Sequence, residues 1–198
     1  MDEKRQPVAL AWLGGRERLT SAAIASCKIG VMIALTAVGA NVRVHLPHTP
    51  VPVTLQTFFV LLSGAWLGAS RGALAQTSYA ALGCLGVPLF AGFACGAPYL
   101  LGPTGGYIIG FAPSAWLVGR IMRLPAARQS LAVTLLAMFA GLCVIYAFGV
   151  VHLALVTGAG LAAALQGGML PFIPGAIVKA TGAAVIAYHV MNRREAAS

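Results

Sequence analysis

SLAVTLLAMFAGLCVIYAFGVVHLALVT, residues 130–157, runs for 28 positions without one Asp, Glu, Lys or Arg. A helix needs roughly 20 mostly apolar residues to cross the hydrocarbon of a bilayer. This stretch exceeds that length and is apolar on every face, a pattern that a half-solvated surface helix does not show. The rest of the chain is of the same kind. Of its 198 residues, 59% are hydrophobic and 9% charged, against about 25% charged in an average soluble domain. Mean hydropathy is +0.87. That is too little charge to cover a soluble globule and too much apolar sequence for disorder, and the 24 glycines follow no collagen period. The chain belongs in a bilayer.

Outward from that run, five further apolar stretches lie at about 22–42, 53–68, 72–88, 105–123 and 172–190. They predict six transmembrane helices in a single polytopic domain, 21–190, flanked by tails 1–20 and 191–198. The first twenty residues are broken by charge and lack a cleavable apolar core, so the first stretch is expected to stay as a membrane helix. Lys4, Arg5, Arg16, Arg18, Arg71, Arg120, Arg123, Arg128, Arg193 and Arg194 fall in the tails or between helices two and three and helices four and five. Because Lys and Arg gather on the cytoplasmic side of membrane proteins, both termini are expected to be cytoplasmic. The expected fold is an all-α, multi-pass protein of the cell membrane.

Three bases remain. Lys28 and Arg43 flank helix one, where each reads as an interfacial anchor. Lys179 lies one to two turns into the last span, where a charge is costly and points to a functional site. All four acids, Asp2, Glu3, Glu17 and Glu195, are in the tails. A membrane domain without carboxylates lacks the usual parts of a proton relay and the ligands of a Mg²⁺ or di-metal site. No GxxxxGK[ST] occurs to cradle a triphosphate, and no GxSxG occurs with an acid to complete a triad. Nothing in the chain suggests nucleic-acid binding. Cys27, Cys84, Cys95 and Cys143 form no CxxC pair and read as small apolar core residues. His45 and His48, three apart in a loop, are too few for a metal, so no metal or cofactor is expected. Pro113 is expected to loosen or kink helix four.

Two segments carry polar groups to one end of the bundle. In Val51–Phe58, after the stiff loop HLPHTP, Thr54 and Gln56 stand at the top of helix two. The second segment runs from Gly86 through Phe90, Gly92 and Phe93 to LGPTGGY, residues 101–107. Irregular backbone at membrane depth persists only where protein or a water-filled cavity surrounds it. There Phe90, Phe93, Tyr99 and Tyr107 offer apolar walls, while Thr104, Gly105, Gly106 and Gly92 offer close backbone approach and free N–H groups. With Lys179, these describe a small pocket open to the exterior. Separately, Ala22, Ser26, Gly30 and Ala34 recur every four residues on helix one. Such a stripe suits either internal packing or docking of a separate membrane subunit.

VPVTLQTFFVLLSGAWLG (51–68), RGALAQTSYAALGCLGVPLFAG (71–92), LLGPTGGYIIGF (100–111) and LPFIPGAIVKA (170–180) closely resemble the BioY family, the biotin-binding S components of energy-coupling factor (ECF) vitamin transporters. The resemblance spans roughly residues 20–190. It implies a six-helix S component holding one biotin in an outward-facing cavity. It also implies partners: a membrane coupling subunit, for which the helix-one stripe offers a docking face, and a pair of cytoplasmic ATPases that supply the missing nucleotide motif. Lys179 matches the lysine of the family's PGDxxK. Ala176 stands where the aspartate is usual, and Ala94 where some members are polar, which leaves Thr104, Tyr107, Gln56 and backbone groups to meet the ligand. The alternatives are an S component for another vitamin, motivated by those two alanines, and a stand-alone biotin facilitator.

Overall fold

The computed structural model of the chain describes residues 6–46 and 49–195. Lys4, Arg5, His48 and the last residues of the C-terminal tail lie outside them.

Helix α1 (Gln6–Asn41) leads into a two-residue antiparallel ladder of β1 (Arg43–Val44) and β2 (Val53–Thr54), with Arg43 opposite Thr54. The remaining helices are α2 (Gln56–Leu67), α3 (Ala69–Cys84), α4 (Ala97–Leu101), α5 (Gly105–Ile121), α6 (Pro125–Gln129), α7 (Leu131–Thr157), α8 (Gly160–Gly168) and α9 (Ile173–Glu195), with a 3-10 turn at Leu170–Phe172 before the last. Among the described residues, three segments are long and apolar enough to cross a membrane alone: Thr20–Asn41, Leu131–Thr157 and Gly160–Val190. The 12 residues of α2 extend only about 18 Å at 1.5 Å per residue, short of a hydrocarbon core of about 30 Å. The chain turns at Gly68, where φ is +79°, and α3 starts at the next residue.

The sequence reading missed the β1–β2 pairing and α8, which lies inside the connection expected at 158–171. Two-residue strands and a nine-residue Ala/Gly helix are too short to carry a periodic signal. Pro113 sits inside α5, which runs unbroken through it. The cysteines differ from expectation: Cys27, Cys95 and Cys143 are exposed and Cys84 is half-buried, all as free thiols. A polarizable, weakly polar thiol suits a lipid-facing surface as well as a core.

Helix α5 sits centrally against α2, α3 and α7. One core cluster gathers Tyr79, Phe90, Phe111 and Ile145. The other gathers Leu61, Val118, Met138 and Leu142 with an alanine stripe on α9, Ala176, Ala180, Ala183, Ala184 and Ala187. Small side chains at a helical period let α9 lie close to α7 and α2. Outward, Leu136, Leu155 and Val178 are between 68% and 78% exposed. Such large apolar surfaces are costly in water and neutral in lipid.

Two devices lock the α2–α3–α5 contact. A Cβ on Gly72 would lie 2.9 Å from Gly64 Cα and from the Ser63 carbonyl, and one on Gly119 would run into the backbone of Gly68 and Ala69. The second device is polar. The Gln76 amide nitrogen on α3 donates to Thr36 Oγ1 on α1 (3.3 Å) and Ser63 Oγ on α2 (3.1 Å). Those hydroxyls donate to the Met32 and Val60 carbonyls. Interhelical hydrogen bonds of this kind contribute about 0.6–2 kcal/mol each within a membrane protein.

Gly72→Ala and Gly119→Ala are therefore expected to destabilise the detergent-solubilised protein by about 1–3 kcal/mol, the usual cost of overpacking. Gly30→Ala, whose Cβ meets nothing within 4 Å, should leave the thermal midpoint unchanged or raise it. A fluorescent thiol-free unfolding assay compares the three.

Candidate functional site

A cavity of about 50 Å³ lies where the β1–β2 ladder, the first turn of α2, the segment 85–104, the first turns of α5 and α9 and the middle of α7 converge. Its polar wall is Thr54, Gln56, Thr57, Tyr99, Thr104, Tyr107, Tyr146 and Lys179, and its apolar wall includes Val51, Ile108, Phe111, Ile145 and Phe172. At roughly 10–15 Å³ per water position, this is room for a few waters.

The half-buried Lys179 side chain leaves the second turn of α9 and its ammonium donates to the Thr54 carbonyl across 2.8 Å. The bond joins positions 125 residues apart and ties α9 to the strand that precedes α2. From Thr54 a polar relay continues along the wall. Thr54 Oγ1 donates to Gln56 Oε1 (3.1 Å), Gln56 Nε2 donates to the Tyr79 hydroxyl (2.8 Å), and Tyr79 donates to the Leu89 carbonyl (3.0 Å). This relay fixes the irregular segment to α2 and α3, and it uses one donor and one acceptor position of Gln56. Buried polar groups left without partners would cost about 1–3 kcal/mol each, so the relay is also what allows Gln56 and Tyr79 to lie inside.

The irregular segment is held from a second direction. Asn41, the last residue of α1, accepts from the backbone N–H of Gly92 (3.0 Å) and of Phe93 (3.1 Å). The Arg43 guanidinium covers Gly92 where a side chain would otherwise stand. Gly92 has φ of +79° and Phe93 of +58°, so Gly92 meets both a conformational and a spatial demand that only glycine satisfies. Phe90 is fully buried behind the wall, stacked on Tyr99 at 4.9 Å and edge-on to Tyr79 at 5.7 Å.

Of the residues singled out from sequence, Lys179, Thr104, Tyr107, Tyr99, Gln56 and Thr54 line the cavity. The others sit elsewhere. Phe90 supports Tyr99 from behind, and Phe93 is 71% exposed. Gly105 and Gly106 are buried at the start of α5 against the Leu100 backbone and against His152 and the Phe148 carbonyl. Tyr107 serves as wall and strut: its hydroxyl donates to the Gly168 carbonyl at 2.7 Å, which spends its proton. His152, alone in the sequence, contacts the Gly102 carbonyl through Nε2 at 3.1 Å and so pins the turn before α5. Ala176 is buried in the second core cluster and Ala94 packs against the first; neither lines the cavity. On α1, Ala22, Ser26, Gly30 and Ala34 are all exposed. Among the described residues no group of His, Cys, Asp or Glu is arranged to hold a metal.

Thr57, Tyr146 and Phe172 line the cavity without having been picked out from sequence. Thr57 lies inside the quoted VPVTLQTF motif, beside Gln56. Tyr146 and Phe172 sit in runs so uniformly apolar that no spacing marks them.

The family model for the BioY family matches residues 16–196. A probable biotin transporter BioY from Pyrococcus horikoshii is 44% identical over 159 residues, covering 80% of this chain and 91% of that protein. The biotin transporter BioY from Thermotoga maritima is 42% identical over 160 residues, covering 81% and 91%. Among solved structures, the crystal structure of the S-component for biotin from an ECF-type ABC transporter superposes with a TM-score of 0.77. It is 24% identical, over 89% of this chain and 93% of that one, and the fold is thereby shared.

Tyr79→Phe breaks the relay at its middle and leaves Gln56 Nε2 and the Leu89 carbonyl without their partner. A loss of about 1–3 kcal/mol in stability is expected, read as a lowered unfolding midpoint in detergent. An unchanged midpoint would mean that the relay does not hold the segment.

Proposed function

The chain belongs to the BioY family, and we propose that it captures biotin from outside the cell as the substrate-binding S component of an ECF-type vitamin transporter. It is a transport protein and not an enzyme. The observation that carries the reading is the cavity itself: one ammonium, several neutral hydrogen-bonding groups and aromatic walls, with no carboxylate. Biotin has the matching parts, an apolar fused ring and aliphatic chain, a ureido group that takes fixed donors and acceptors, and one carboxylate. Lys179 retains two ammonium protons beyond the one on the Thr54 carbonyl. Either the ligand carboxylate or the ureido oxygen can accept them. A bicyclic ligand needs more than a few water positions, so the cavity has to widen as it enters.

The six-span topology with both termini cytoplasmic belongs to the same proposal. The Lys/Arg distribution supports it, with Arg71, Arg120 and Arg123 near the end of α2 opposite the cavity, about 18 Å away along that helix. In that orientation the cavity faces outward across the cell membrane. Partners follow from the S-component reading: a membrane coupling subunit and two cytoplasmic ATPases. The exposed small-residue stripe on α1 supports a docking face there, because small side chains let a second helix approach closely.

Titration calorimetry of the purified protein with biotin tests the reading, with thiamine and riboflavin as competitors. Biotin is expected to bind at one per chain and the other vitamins not to displace it. Lys179→Ala should weaken biotin binding by about tenfold or more, the worth of a hydrogen bond to a charged group. Unchanged affinity would remove Lys179 from the site. Biotin uptake should also require co-expression of a coupling subunit and its ATPases; uptake that persists without them would contradict the proposed partners.

A further inference from the structure

Among the described residues, two side-chain atoms are fully buried with no hydrogen-bond partner: Gln76 Oε1 and Thr57 Oγ1. The first lies between α1, α2 and α3, away from the cavity. The second belongs to a residue that lines the cavity. A threonine in a helix commonly donates its hydroxyl proton to the carbonyl four residues back, as Thr36 does to Met32 and Thr157 does to Leu153. Thr57 is the second residue of α2, so the residue four back, Val53, lies in β2 and offers it no helical carbonyl. Other lining groups already hold protein partners: Gln56 bonds Thr54 and Tyr79, and Tyr107 bonds the Gly168 carbonyl. An unsatisfied buried hydroxyl costs free energy, and a wall that keeps one has it available for whatever enters.

We propose that Thr57 is a ligand-binding residue whose hydroxyl donates to an oxygen of the bound molecule. The inference rests on the biotin reading above and assigns that site a contact beyond Lys179. Two oxygens of biotin fit, the ureido carbonyl and the carboxylate, and both are acceptors. Lys179 approaches the ligand from α9 and Thr57 from α2, so an acceptor held between them receives donors from two helices.

The roles of a binding hydroxyl and a structural one separate on substitution. Thr57→Val keeps the shape and removes the hydroxyl. Because the hydroxyl has no protein partner, the unfolding midpoint of the unliganded variant should not fall, whereas a structural hydroxyl would lower it. Biotin affinity by titration calorimetry should drop roughly three- to tenfold, the worth of one hydrogen bond. Thr57→Ser should recover wild-type affinity to within about twofold. Repeating the comparison with a biotin analogue whose carboxyl group is replaced by methyl, so that no acceptor remains at that end, identifies the acceptor. A Thr57→Val loss of the same size on both ligands assigns the ureido oxygen, and a loss confined to biotin assigns the carboxylate. Wild-type protein that binds biotin, together with Thr57→Val that binds equally well, would overturn the inference and leave the biotin reading standing. Wild-type protein that does not bind biotin would overturn the reading beneath it.

Discussion

One ammonium in an interior without carboxylates sets the terms for this protein. A buried cation needs compensation, and none of the chain's four acids lies in the membrane domain. Lys179 finds the Thr54 carbonyl instead, at 2.8 Å. A carbonyl dipole compensates a full charge only in part, so the remaining protons of Lys179 favour an acceptor arriving from outside. The same bond fixes the strand–helix corner on which Thr54, Gln56 and Thr57 are mounted. The structural role of this bond and the proposed ligand-binding role of Lys179 thus meet at one contact.

The binding end is made of irregular backbone, and the rest of the fold makes that possible. Segment 85–104 is fastened by Tyr79 from α3, Asn41 from α1 and His152 from α7. Each supplies a partner for a main-chain group that lipid could not satisfy. Behind these contacts, glycine-mediated approach of α2, α3 and α5 gives the rigid body.

Much of this was legible in the sequence, and the failures have physical causes. The uncharged runs place the long helices, because an apolar stretch of such length has few alternatives. Lys179, Thr54 and Gln56 stood out as polar groups in apolar surroundings, and all three line the cavity. Phe90 and Phe93 looked equivalent. One is buried and the other exposed, because side-chain direction in an irregular loop follows no period. Thr57 was passed over beside Gln56 since sequence shows which side chains carry protons and not which protons are already spent. The break between the apolar stretches 53–68 and 72–88 falls at Gly68 as the sequence divides them, whereas the 12-residue length of α2, short of the bilayer thickness, does not show in the apolar run.

Small molecules released from the detergent-purified protein, identified and counted by mass spectrometry after expression in biotin-supplied cells, test the central claim most directly. Biotin at about one molecule per chain is the expected result. A different molecule in the site, or an empty protein that gives no heat on titration with biotin, would contradict it.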